Sequence, residues 1–380
     1  MTSLPILPSD LLIEILSWLP AKSLVRFRRV SKYWKSLISN TTFAKLHLQR
    51  SPKHTHTLLT SSKKVYLNGY KDYYRVLTPY KVRPLLEHPS SILIKDECRR
   101  FNTRSDPIGS ANGLVCMISD KYREFWVLFW NPTLRLTSKN SPSLIIPDVP
   151  HLGFGYDDSN DTYKVVAVFW DSTTQEMQGR VHCMGDNCWR KIIVCPTFPI
   201  LLDYNQIGSF VSGNVNWLAL HNSKFHEYEW ENVTINQLAI FSLDLQKETC
   251  KYTLLPDGFS ELPEDEPRLT VLRGCLCFYY DYMRTHFVLW EMREFGVQES
   301  WTRLVNVSYA HLQIKEPNGL LVPVCLSENG DVLMLANNNQ NDVIKYNQRD
   351  NRIEYVELPN TIFDAHEHMQ SLVLPRPCPN

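Results

Sequence analysis

The chain has 380 residues and a mass of 44.3 kDa, more than one small module needs, so two or three domains are expected. With 43% apolar and 21% charged residues it can bury a core, which excludes disorder as the whole description. The densest apolar run, Phe125 to Trp130, is strand-sized and too short to cross a bilayer. The opening MTSLPILPSD has no basic start, so no secretory signal is expected. A formal charge of zero speaks against a general nucleic-acid or membrane binder. The zero hides an asymmetry: residues 1–50 hold eight basic and two acidic side chains, a net of +6, and the rest carries −6. A basic head on a mildly acidic body suggests an acidic partner for the head.

From Leu7 to Leu48 the pattern predicts three or four short helices. Pro8 sets a helix-compatible φ and Ser9 is placed to cap the first helix. Leu11, Leu12, Ile15, Leu16 and Leu19 form an apolar stripe of helical period. Pro20 ends that helix, Leu24, Phe27 and Val30 mark a second, and Ser31 caps a third that carries Trp34, Leu37 and Ile38 on one face. About 45 residues cannot enclose much core. The exposed apolar residues must be covered either by the body of the same chain or by another protein.

As it stands from Leu7 to Ile38, LPxDLLxEILxxLPxKSLxRFRxVxKxWxxLI resembles an F-box, the helical module that docks on the Skp-type adaptor of a cullin–RING ubiquitin ligase. The resemblance implies that Leu7, Pro8, Leu11, Leu12, Ile15, Leu16, Leu19 and Pro20 face the adaptor. It implies that Leu24, Val25, Val30 and Trp34 contribute to the contact or to the core behind it. The basic run from Lys22 to Lys35 suits an acidic adaptor and should add mainly to on-rate and partner choice. Tyr33 stands where the family more often has a small residue. The domain reading is an F-box at 4–48, a linker at 49–56 and a body at 57–375.

In the body, short alternating apolar runs are divided by Gly, Pro, Asn and Asp, an all-β pattern. A strand–turn–strand unit recurs as FWNPTLRLTSK, VHCMGDNCWRKI, FSLDLQKETCKYTLL, LWEMREFGVQESWTRL and IKYNQRDNRIEYVEL, with turn markers Asn131, Gly185, Asp244, Arg293 and Asn347 at steps of 54, 59, 49 and 54. Glycine turns at Gly113, Gly213, Gly274 and Gly330 lead into further strands. Four strands per step is the content of a propeller blade, and the length of the body holds six. The fold class expected is therefore α+β and multidomain: a small all-α head followed by an all-β six-bladed propeller. His56 to Ile94 supplies part of the first blade, and SLVLP near Ser371 is expected to complete the ring. GSANGLVCM with FWNPTLRL, HLGFGYDDSNDTYKVVAV and LWEMREFGVQESWTRL resemble the F-box-associated repeats of a large plant F-box family that includes S-locus F-box and kelch-like proteins. In HLGFGYDDSNDTYKVV, Gly153 and Gly155 permit close approach and Asp157 to Asp161 form a tight polar turn.

No catalytic constellation stands out, so no catalytic residue, cofactor or metal is assigned and the chain is read as a non-enzyme. The ten cysteines show no paired CxxC and are read as free thiols in a reducing compartment. His182 with Cys183, Cys188 and Cys195 has irregular ligand spacing, so packing is expected. The pair His221 and His226, the AHEHMQ segment and the DDSND turn are equally thin as ligand sets.

The irregular loops at Asn68–Arg75, His221–Asn232 and Tyr279–His286 offer aromatic and charged side chains suited to a protein interface. Tyr70, Tyr73, Tyr74, His226, Tyr228, Trp230, Tyr280, Tyr282 and Arg284 are the candidates there. The acidic run Glu261 to Glu266 is read either as a solvated loop or as a contact for a basic target. The resemblance implies the substrate-recognition subunit of an SCF-type ubiquitin ligase. Its partners would be a Skp-type adaptor, through it a cullin and a RING protein, and an unknown protein substrate, with no nucleic acid or membrane, in cytoplasm or nucleus. The alternatives are a propeller enzyme of oxidase or glycan-processing type, and a glycan-binding receptor within the ligase.

Overall fold

The computed structural model describes residues 8–67, 70–88, 99–102, 105–146, 150–174, 176–192, 198–199, 207–220, 230–314, 321–336, 342–357 and 362–376. Four short helices open the chain: α1 (Ser9–Ser17), α2 (Ala21–Phe27), α3 (Lys32–Ile38) and α4 (Thr41–Arg50). Pro20 is the residue before α2, and Ser31 caps α3 by accepting a hydrogen bond from the Trp34 N–H at 3.1 Å. Ser9 does not cap α1. Pro8 occupies that position without a side-chain bond, and the Ser9 hydroxyl instead accepts from the Tyr33 hydroxyl at 3.0 Å. Asn40 caps α4 through the N–H groups of Thr42 and Phe43. This helix runs to Arg50, which reaches back to Glu14 at 2.8 Å and to Ser17 at 2.5 Å. Residues 51–55 connect α4 to the first strand.

The strands follow as β1 (His56–Leu67), β2 (Tyr70–Lys81) and, after α5 (Val82–Glu87), β3 (Arg99–Asn102). Next come β4 (Ser105–Ala111), β5 (Leu114–Lys121), β6 (Glu124–Asn131), β7 (Leu136–Thr137) and β8 (Leu144–Ile145). They are succeeded by β9 (His151–Asp157), β10 (Thr162–Asp171), β11 (Glu176–Cys183) and β12 (Arg190–Ile192). The middle of the body holds β13 (Phe198–Pro199), β14 (Ser209–Val211), β15 (Asn214–Leu220), β16 (Leu238–Asp244) and β17 (Cys250–Thr253). After these are β18 (Arg268–Leu272), β19 (Cys275–Tyr282), β20 (His286–Met292) and β21 (Trp301–Ser308). The series ends with β22 (Val322–Leu326), β23 (Asp331–Leu335), β24 (Asp342–Asn347), β25 (Arg352–Glu357) and β26 (Ile362–His368).

These strands make six antiparallel sheets, the blades of a propeller. The ring closes by mixing its ends: β26 pairs with β1, His56 opposite His368, so the first blade is β26-β1-β2-β3. SLVLP at Ser371 is not the closing strand. The chain has left the sheet by then, because its leucine is drawn under the helical head. The inner strands β4, β9, β14, β18, β22 and β26 touch in sequence around the axis. Large apolar clusters fill the gaps between blades, such as Phe154 with Phe129 and Tyr163. Gly153 is required where blades meet, since a Cβ there would lie 2.3 Å from Val215 Cγ1.

The blades are also joined by a buried charge network. Lys164 Nζ lies 2.8 Å from both Asp157 Oδ2 and Glu248 Oε1, and it donates to the Leu245 carbonyl at 2.6 Å. Burial pushes the Asp157 carboxyl up, but hydrogen bonds from Asn160, Lys164 and Ser159 outweigh it and hold the carboxyl well below its ordinary range. Among the described residues one cysteine departs from the free-thiol expectation: Cys250 on β17 is disulfide-bonded, a pairing that residue spacing could not signal. Cys116, Cys183, Cys188, Cys275, Cys277 and Cys325 are free.

Candidate functional site

Helix α1 divides its apolar residues between two stripes. Leu12, Leu16 and Leu19 share one side, and Leu11, Ile15 and Trp18 repeat the same i, i+4, i+7 spacing on the other. Only the first stripe is inward. Leu16 is 2% exposed and packs with Ala21, Leu24, Ile38, Phe43 and Ala44 in the core of the head. On the second, Leu11 and Ile15 are each 53% exposed and Trp18 is 64% exposed. Val30 and Tyr33 are also exposed. Leu16 therefore supports the open face from behind, because α1 turns it onto α2, α3 and α4. Leu24 is likewise core. Leu12, Leu19, Val25 and Trp34 are half-buried, the last edge-on to Phe27 at 5.6 Å, and Pro8 and Pro20 are exposed. Leu7 lies outside the described residues.

Trp18 was not anticipated as part of this face, though its place seven residues after Leu11 was a sufficient signal. Its ring carries the Arg50 guanidinium at 5.1 Å and its Nε1 donates to Glu14 at 3.2 Å. On the same head Lys22, Arg26, Arg29, Lys32 and Lys35 are exposed and without an ion pair among the described residues. The head thus presents both uncovered apolar surface and positive charge without an ion pair among the described residues.

The head is seated on one end of the propeller. Leu372, from the segment after β26, is 3% exposed inside the head core, and Leu134 packs against the same cluster. The segment is held to its blade by Asn131, whose Nδ2 donates to the carbonyls of Ser371 at 3.1 Å and Val373 at 2.7 Å. Gly113, with φ +79°, leaves room for it: a Cβ there would meet Ser371 Oγ at 2.4 Å. Lys45 of α4 pairs with Asp161 in the β9–β10 turn. All these contacts fall on the end of the blades where first and second, or third and fourth, strands are joined. The second–third hairpins, including Tyr122–Arg123 and Met283–Arg284, lie at the opposite, distal end.

Residues 4–46 match the profile of the F-box domain and residues 56–374 that of the F-box associated beta propeller domain. The chain belongs to this family of plant F-box proteins. It is 30% identical over 323 residues to the F-box/kelch-repeat protein At3g23880 of Arabidopsis thaliana, covering 79% of each chain. With the F-box protein CPR1 of Arabidopsis thaliana the identity is 26% over 334 residues, covering 79% of this chain and 73% of that one. The β-propeller domain of the Trilobed protease from Pyrococcus furiosus is a looser likeness in shape, with 8% identity, a TM-score of 0.38 and coverage of 81% and 83%. An F-box joined to this propeller supports a substrate-recognition role in an SCF-type ligase.

In this F-box protein the described strand ends that flank the three candidate loops, Leu67 and Tyr70, Leu220 and Leu238, and Tyr282 and His286, fall at the distal end, but the individual side chains divide. Tyr70, Tyr73 and Tyr74 lie on β2 in register with Leu67, Lys64 and Lys63. His226 and Tyr228 lie outside the described residues. Trp230 is half-buried, its Nε1 donating to the Pro263 carbonyl at 2.9 Å. Tyr282 donates to Glu261 at 2.8 Å, and Arg284 pairs with Glu264 at 3.0 Å. Tyr280 is a correction: it is buried against Phe259 and Phe278 within its blade and presents no ring to a partner. The distal hairpin tips instead expose Tyr122, at 87%, and Met283. Tyr122 was missed because its hairpin, KYRE, has no glycine or asparagine to announce a tip; both Tyr122 and Arg123 adopt positive φ.

Of the thin ligand sets, His182 packs tilted against Trp189 with ring centroids 5.2 Å apart, Cys183 is half-buried with its thiol pushed up chiefly by burial, and Cys195 lies outside the described residues. Among the described residues no three His, Cys, Asp or Glu side chains converge to hold a metal. Nor is any described helix long and apolar enough to cross a membrane.

Proposed function

We propose that the F-box docks on a Skp-type adaptor, and through it on a cullin and RING protein, while the distal end of the propeller holds a protein target for ubiquitination. The single observation behind this reading is the open stripe of Leu11, Ile15 and Trp18 on a head that also exposes five basic side chains without an ion pair among the described residues. Apolar burial supplies affinity, and the positive charge of the head supplies steering toward an acidic partner. The chemistry of transfer belongs to the ligase. This chain acts by tethering, which raises the effective concentration of target lysines near a charged thioester.

The seating of the head supports the second half of the reading. One end of the propeller is occupied by the F-box and the C-terminal segment, so the distal hairpins point away from the adaptor side. The setting is cytoplasm or nucleus. Reconstitution tests the proposal: the purified chain should co-elute with a Skp-type adaptor and cullin–RING core and support transfer to a captured target. Separate elution from the adaptor at micromolar concentration would refute it.

A further inference from the structure

Besides the two ends, the propeller has an interior. Its inner strands enclose an axial cavity of about 420 Å³, within the size range of small-molecule sites and far larger than a bare ion needs. The connection from the F-box contributes Lys53 and His54 to the cavity lining at its head-side end, and β18 and β26 supply Arg268, Asp364 and Glu367.

The charged groups along this wall are unevenly partnered. Glu367 is answered on both oxygens, by His54 Nδ1 at 2.7 Å and by the Gly274 N–H at 3.0 Å. Asp364 is answered by His366 Nε2 at 2.9 Å and by the Ala365 N–H at 2.8 Å. Arg268 and Lys53 also line the cavity, and neither has an ion pair among the described residues. The two carboxylates thus each have a partner while the two cations have no ion pair among the described residues, so the charged groups left open to a ligand are Arg268 and Lys53. His368, 3% exposed, bonds the Ser110 hydroxyl through Nδ1 at 3.0 Å and leaves Nε2 without a partner, a position whose desolvation is uncompensated. Phe154 and Trp217 give the same cavity an apolar side.

We propose that the axial cavity binds a small organic anion, an apolar body bearing one carboxylate or phosphate group, with the anionic group on Arg268 and the body against Phe154 and Trp217. A guanidinium presents a planar fork that matches either anionic group. The Thr270 hydroxyl, two residues along β18 and also in the wall, is a second donor. The site is separate from the adaptor face and from the distal hairpins, so its failure would leave the docking proposal standing.

Titration calorimetry of the full chain with benzoate, phenyl phosphate, inorganic phosphate and benzamidinium tests this. Benzoate or phenyl phosphate should bind saturably at roughly millimolar affinity or better, as expected for about ten heavy atoms. Whichever of the two binds more tightly identifies the anionic group. Inorganic phosphate should bind more weakly and benzamidinium not at all. Arg268→Gln should weaken the better probe by about ten-fold or more with the thermal midpoint of the free protein unchanged, and Arg268→Lys should restore part of the affinity. Should Arg268→Gln fail to fold, Thr270→Val is the substitute, with an expected loss of a few-fold. Absence of saturable binding by both organic anions, equal binding of benzamidinium, or full affinity in the variants would overturn the proposal.

Discussion

Leu372→Ala is the perturbation that most directly probes how the F-box is held. Leu372 is 3% exposed and is the fully buried side chain that the C-terminal segment adds to the head core. Truncating a leucine in such a site removes about 3 kcal/mol, the transfer and cavity contributions together. A core built on about 45 residues supplies only ~3–5 kcal/mol by itself. The loss should therefore consume most of the local stability of α1–α4 and leave the propeller intact. Hydrogen exchange followed by mass spectrometry should show protection in residues 9–50 falling by about a hundred-fold, at 1.4 kcal/mol per decade, while β10, β16 and β19 keep theirs. Unchanged exchange in the four helices would refute the idea that the tail completes the head core.

Other outcomes follow from the same contacts. Lys164→Ala leaves Asp157 buried beside Glu248 without its cation and should cost about 3–5 kcal/mol in urea unfolding. Lys45→Ala, at an exposed pair with Asp161, should cost about 1 kcal/mol or less. Burial lowers the imidazoles of His151 and His368 to about 3 and, with Lys22 and Lys81 adding to it, that of His56 to about 4. Their folded values lie below the ordinary 6.5, so the unfolded chain takes up protons first as the pH falls. Asp281, pushed up to about 6 chiefly by burial, acts in the opposite sense. A net uptake of about two protons gives a stability loss of up to about 3 kcal/mol per pH unit below pH 6. Urea midpoints at pH 7.5 and pH 5 check it, and equal midpoints contradict it. Tyr122→Ala with Met283→Ala should leave the thermal midpoint and adaptor affinity unchanged while reducing target ubiquitination in the reconstituted ligase; undiminished transfer would remove these tips from the target site.

Much of this architecture could be read from the residues because propeller blades repeat their turn chemistry. Gly113, Gly213, Gly274 and Gly330 all adopt φ between +74° and +87°, and each opens the second strand of its blade. The markers from Asn131 to Asn347 fall at the ends of third strands or in the hairpins after them, because a polar turn must separate strands at each blade edge. The closing strand was harder. Both SLVLP and TIFDAHEH are short apolar-and-polar runs, and only tertiary contacts decide that β26 enters the sheet while Leu372 enters the head. For the F-box, periodicity located the apolar residues of α1 but not their division, since Leu11 and Leu12 lie on adjacent arcs and only the packing of α2 to α4 chooses which is covered. The AHEHMQ segment illustrates the same limit: unpromising as a ligand set, it lines the axial cavity because β26 is an inner strand.

Docking through this face is tested most directly by one titration, the intact chain against a purified Skp-type adaptor, repeated with Leu11→Asp plus Ile15→Asp. Both side chains are half exposed, so the double variant should keep the thermal midpoint of the parent. Each site loses about 1 kcal/mol of apolar burial and places a carboxylate in a closed contact at a cost of several kcal/mol more. Binding should therefore weaken by at least about a thousand-fold. Undiminished affinity in the folded double variant would contradict the assignment of this face as the adaptor seat.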